Sequence, residues 1–291
     1  MRWLAVTLVL VLAGCGSAAA PTPAPGTATV TPAPVPEATA APGTLAPGVA
    51  ADGVFDADRL AAAHAAALAG RSFTLVRVDS RYTNGSLERR DRSVLAYGAT
   101  GTEFRYDLRQ TDRRDGANAT SRIERYADGE RVYVATTRDD ETRYELLRAS
   151  DGSTYAPTRV FPENATNERG IARLFVLIDT EVTGERTVDG RTVYRLATPA
   201  PQAVPPLRNV TFVANVTEAG LVRDYRLSYD VVRSGRPVRV VASTTYRSVG
   251  ETTVVAPPWL DRAREAVRRG TDTSTLTDRA TADGLNAVPG A

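Results

Sequence analysis

From Ser72 onward, polar and apolar positions alternate with a period of two, in segments near 72–79, 92–98, 102–110, 121–127, 130–138 and 141–148. That period puts successive side chains on opposite faces of an extended chain. Asn84-Gly85 and Asp128-Gly129 are turn dipeptides, so the pattern predicts antiparallel strands joined in sequence. In the third segment Phe104, Tyr106 and Leu108 share one face while Arg105, Asp107 and Arg109 share the other. One face is built for a core and the other for water.

Strand patterns resume at 180–188 and 191–198 around Asp189-Gly190, then run long at 207–217, 221–232 and 236–249. Val210, Phe212, Ala214 and Val216 point one way; on the next strand Leu221, Tyr225, Leu227, Tyr229 and Val231 alternate against Val222, Asp224, Arg226, Ser228 and Asp230. Strands of about eleven residues span roughly 35 Å. That exceeds the usual length and suits a strongly curved sheet.

Three segments carry a helical period instead. Asp56 to Gly70 has an N-capping Asp, an alanine-rich interior and a terminal Gly, with Leu60, His64 and Leu68 on one face. His64 is therefore expected to pack rather than to catalyse. The stretch NERGIARLFVLID interrupts the strands, and Ile171, Leu174, Phe175 and Ile178 mark its apolar side, which covers a sheet face or acts as a lid over a cavity. Near the end VVAPPWLDRAREAVRRG places Pro258 for the first turn of a short helix and Gly270 for its stop. Together these patterns predict an α+β fold, a long curved antiparallel sheet with helices across its concave face.

The helices available to fill that concavity are few, and one is mostly alanine. Either the sheet closes on small residues or an apolar space remains. Phe104, Tyr106, Val210, Phe212, Leu227 and Tyr229 from the sheet, with Leu174, Phe175 and Ile178 from the helix, are the candidate lining of such a space.

The chain begins differently. Met1-Arg2 is a short positive start and Trp3 to Ala13 an apolar run, so residues 1–14 read as an export signal too short to span a bilayer. Cys15 is the one cysteine, and no intramolecular disulfide is open to it. From Cys15 to residue 52 the composition is almost wholly Ala, Pro, Thr, Gly and Val, which predicts a tether rather than a packed unit. Extended at about 3.1 Å per residue it reaches roughly 100 Å. Residues 53–270 then form the folded domain, and 271–291 read as a disordered tail.

Formal net charge is +2, falling to +1 if Arg2 leaves with the signal, and every one of the 36 basic residues is arginine. Interspersed signs at that balance argue against a nucleic-acid partner. The sequence holds no glycine-rich phosphate loop, no metal-ligand cluster and no nucleophile motif, so no catalytic residue, metal or cofactor is expected. Asn-x-Ser/Thr sequons at Asn84, Asn118, Asn164, Asn209 and Asn215 are candidate glycosylation sites in an exported chain. Asn209 and Asn215 lie six residues apart, hence on one face, and that face is expected to meet solvent.

Leu12-Ala13-Gly14-Cys15 resembles the lipobox of lipoproteins, which implies that Cys15 carries a lipid and anchors the chain on the extracellular face of the cell membrane. A two-chain lipid suffices for stable anchoring. With the Thr/Pro tether, the sequons and lysine-free basic residues, it is similar to the lipoproteins of haloarchaea, although these are typically far more acidic; a high-GC Gram-positive bacterium is the other source. The element order over about 55–260, ending in Tyr246-x-x-x-Gly250 and Pro257-Pro258-Trp259, resembles an uncharacterised haloarchaeal family and the LolA-like half-barrel of LppX- and LprG-type lipoproteins. The resemblance implies an apolar cavity that receives lipid or another hydrophobic ligand, without catalysis. The alternative is a non-catalytic cell-surface module that binds protein or carbohydrate and needs no internal cavity.

Overall fold

The structure, a computed structural model, describes residues 43–114, 117–161 and 165–270. The expected signal at 1–14, Cys15, the tether as far as residue 42, Asn164 and the expected tail at 271–291 lie outside the described residues.

The expected domain start at residue 53 is too late. Strands β1 (Thr44–Ala46), β2 (Val49–Ala50) and β3 (Gly53–Val54) form a small sheet, and Ala46 and Val49 are buried in the main core. Composition hides this because the motif depends on small side chains and on one backbone position. Gly48 sits at φ +75°, where a Cβ would lie 2.1 Å from the Asp56 carbonyl oxygen. Only glycine lets that turn press against the start of the first helix.

Helix α1 (Ala57–Leu68) begins there, with Asp56 accepting from the Arg59 backbone N–H at 2.9 Å. Its buried side is Leu60, Ala61, His64 and Leu68, the spacing expected of a helix lying on a sheet. A first meander follows: β4 (Phe73–Thr83), β5 (Ser86–Tyr97), β6 (Glu103–Arg114), β7 (Ala117–Asp128), β8 (Val132–Arg138) and β9 (Glu141–Leu146). Asn84 and Gly85 both take positive φ, as a two-residue hairpin turn requires. After β9 the chain makes a 3₁₀ turn at Pro157–Arg159 and then forms α2 (Glu168–Leu177).

A second meander returns through β10 (Glu181–Val188), β11 (Arg191–Ala197), β12 (Gln202–Val204), β13 (Leu207–Thr217), β14 (Val222–Arg233) and β15 (Arg236–Arg247). β15 pairs antiparallel with β4, so the two meanders fuse into one open curved sheet of order β10-β11-β13-β14-β15-β4-β5-β6-β7-β8-β9. β12 pairs β13 beside this path.

One face of the sheet, the inner face, meets α1, α2 and the segment after β9. Helix α3 (Leu260–Arg268) packs on the other. There Tyr133, Ala135 and Leu146 meet Trp259, Leu260 and Ala263, while their neighbours Val132 and Val134 belong to the inner core. On the same outer face Arg122 bridges Asp107 at 2.6 Å and Glu124 at 3.0 Å. Burial alone would raise the Asp107 pKa, but the hydrogen bond and charge of Arg122 hold it below the usual carboxylate range.

Candidate functional site

All nine candidate lining residues are buried, and the structure divides them between two clusters. Over the β10–β15 half, Val210, Phe212, Leu227 and Tyr229 meet Leu174, Phe175 and Ile178 of α2 and its C-cap. The Phe175 and Phe212 rings touch edge to face at 5.3 Å, a favoured aromatic geometry. α2 therefore lies directly on the sheet by its apolar side, with Val176 and Leu177 left exposed.

Phe104 and Tyr106 belong to the second cluster, over β4–β8. Their partner is Phe161, whose ring stands edge-on to Phe104 at 4.9 Å and tilts over Tyr106 at 5.6 Å. Sequence patterning missed Phe161, since it sits in an irregular segment without a period. Its one signal was a large aromatic between prolines and polar residues in Pro157 to Pro162.

His64 joins the two halves. The Val222 backbone N–H donates to its Nδ1 at 3.2 Å, which leaves the proton on Nε2, and Nε2–H donates to the Thr166 carbonyl at 2.8 Å. Burial pushes its pKa down to about 4, against the opposing pull of the Thr166 bond. The Tyr246 hydroxyl donates to the same carbonyl at 2.9 Å; burial pushes its pKa up. In the Tyr246-x-x-x-Gly250 pattern, Gly250 N–H donates to the Ser72 carbonyl at 2.6 Å. Both ends of the pattern thus close the domain.

Beyond the apolar clusters the inner face turns polar. Arg77, which hydrogen-bonds Tyr246, is 8% exposed. Asp79 lies across from Asp91, and burial, reinforced by that neighbouring charge, raises its pKa. Arg125 stands over the Tyr106 ring at 5.8 Å, and burial lowers its pKa. Further out, a cleft of 320 Å³ is lined by Arg81, Thr83, Glu88, Arg89, Asp112, Arg113, Arg233, Arg236 and Val238. A second, of 460 Å³, lies on the outer face beside Tyr82, Thr211, Arg226, Ser228 and Arg239.

Asn209 and Asn215 both project from the face of β13 opposite Val210 and Phe212. Asn209 Nδ2 donates to Asp230 and Asn215 Nδ2 to Asp224, each at 2.7 Å. Asn209 is exposed and Asn215 half-buried. Asn84 is exposed in the β4–β5 turn and Asn118 is exposed on β7. Among the described residues no group of three His, Cys, Asp or Glu side chains is placed to hold a metal, and no helix is long and apolar enough to cross a membrane.

An open antiparallel sheet with an apolar inner face under two short helices is the class this geometry defines. The chain belongs to a family of unknown function, DUF7537, whose model matches residues 1–263. No curated protein matches it. Among solved structures it is similar to LprF from Mycobacterium bovis, at 12% identity and a TM-score of 0.37, over 69% of this chain and 96% of that one. A DUF1329 family protein from Desulfovibrio piger matches at 13% identity and 0.27, over 70% and 94%. A LolA superfamily protein from Nitrosomonas europaea matches at 10% identity and 0.22, over 69% and 95%.

Proposed function

We propose that this protein is a non-catalytic lipoprotein, held on the extracellular face of the cell membrane by a lipid on Cys15, that binds or carries a lipid or other hydrophobic ligand. The observation that supports this reading is the inner face itself. It is apolar over much of both halves and, among the described residues, is covered by α1, α2, the small sheet that carries Ala46 and Val49, and the segment around Phe161. α2 is ten residues long and is held by the one apolar side that carries Ile171, Leu174 and Phe175. An acyl chain that slid beneath it would gain about 0.8 kcal/mol per buried methylene. Binding then requires α2 to lift, because Phe175 and Phe212 now touch.

Those same ring contacts favour a second reading, a surface module with a filled interior that binds protein or carbohydrate. Titration with a fluorescent fatty acid separates the two. Saturable binding by the wild type, lost on Phe175→Asp in a variant that still folds, supports the carrier. No binding by the folded wild type rejects it.

A further inference from the structure

The 320 Å³ cleft at the strand tips is more than a gap between hairpins. Five arginines, Arg81, Arg89, Arg113, Arg233 and Arg236, face two carboxylates, Glu88 and Asp112, across it. Arg89 consumes much of the negative charge, bonding Asp91 at 2.9 Å and lying 3.6 Å from Asp112. Arg81 is near enough to Asp79 to act on its charge, whereas Arg113, Arg233 and Arg236 are exposed.

The register sharpens the imbalance. Arg81 lies directly across from Arg89 on β4 and β5, and Arg233 directly across from Arg236 on β14 and β15. Like charges placed opposite each other on one face destabilise a sheet. Asp91 and Asp112 compensate Arg89, but Arg233 and Arg236 face each other with no bonded carboxylate among the described residues, a repulsion that a bound anion relieves. Guanidinium groups suit phosphate in particular, because their forked donors meet its oxygens in pairs.

We propose that this cleft binds a phosphate ester. Val238, which lines the cleft, also belongs to the apolar cluster that includes α2. A phosphate seated on the arginines therefore stands at the edge of the apolar face, the arrangement that an anionic lipid headgroup needs. A soluble phosphate ester offers the same group without the chains. The site does not depend on whether the interior admits an acyl chain, so its failure and that of the carrier reading are separate results.

The test is calorimetric titration of the full chain carrying Cys15→Ser, at low salt, with glycerol phosphate and with dihexanoyl phosphatidic acid. Saturable binding of both is expected, weakening as salt is added. In an Arg233→Gln/Arg236→Gln variant the affinity falls about tenfold or more, while thermal stability holds or rises because a repulsive pair is gone. Arg113→Gln, on a different hairpin, gives a second reading should the double variant fold poorly. Tighter binding of the dihexanoyl compound identifies a lipid headgroup; equal affinity identifies a soluble phosphate ester. Absence of saturable binding by either compound, or affinity unchanged in the folded variants, overturns the proposal.

Discussion

His64 and Tyr246 donate to one carbonyl oxygen, that of Thr166, at 2.8 and 2.9 Å, with their rings in edge contact at 4.8 Å. The imidazole is useful only when neutral, since its Nδ1 must accept from Val222. Its pKa falls from 6.5 to about 4 on folding. Between those values the unfolded chain binds a proton that the folded chain refuses, so stability drops as pH falls. The contribution is complete above 6.5, erodes toward 4, and is constant below that. Over the window it amounts to about 3 kcal/mol. Denaturant unfolding at pH 7.5 and 4.5 should therefore show the wild type losing roughly 2–3 kcal/mol more than His64→Asn. Equal losses would refute the assignment.

Phe161 fills the space above Phe104 and Tyr106 and is 2% exposed. Replacing it with alanine should cost about 3–5 kcal/mol, as removal of buried aromatic rings does. Thermal or denaturant unfolding measures this. A loss below about 1 kcal/mol would mean that the segment around it is a loose cover rather than part of the core.

The amide nitrogens of Asn209 and Asn215, the atoms a glycan would take, already donate to carboxylates. Asn209 is the more exposed, and its positive φ of 51° lifts it from the regular ladder. Site-resolved glycopeptide analysis of the native protein should accordingly find Asn209 occupied at least as fully as Asn215. The reverse order would show that exposure does not govern modification on this face.

Changing Cys15 to Ser should release the protein from membranes into the medium with its folded domain intact. Cell fractionation decides this, and a variant that stays with the membrane after its signal is processed would exclude the cysteine as the anchor.

What the sequence revealed was whatever had a period. Alternation at Phe104, Tyr106 and Leu108, and at Val210 to Val216, located the inner face correctly, and the spacing of Ile171, Leu174 and Phe175 located α2. Where both faces are polar the period vanishes. That is why the distal ends of β5 and β6, which carry Arg89, Asp112 and Arg113, went unread although they help build the arginine cleft. Val222 was placed outward by strict alternation but is fully buried, because the register shifts between Asn215 and Val216. The division of the lining residues between two clusters was illegible for a different reason: Phe161 belongs to no repeating pattern, and only the folded chain brings it over Phe104.

The pairing of β15 with β4 sets when this protein can fold. Thr83 finds its partner in Val238 and Thr74 in Arg247, so the central seam joins an early strand to the last one. Neither β4 nor β15 closes the sheet until nearly the whole chain is present, and contacts so distant in sequence form slowly. An exported chain threading outward with its amino terminus first would thus cross as separate hairpins, and the two halves would meet only after the final strand emerges. For a chain exported in that way, assembly of the inner face would await the last strand on the far side of the membrane.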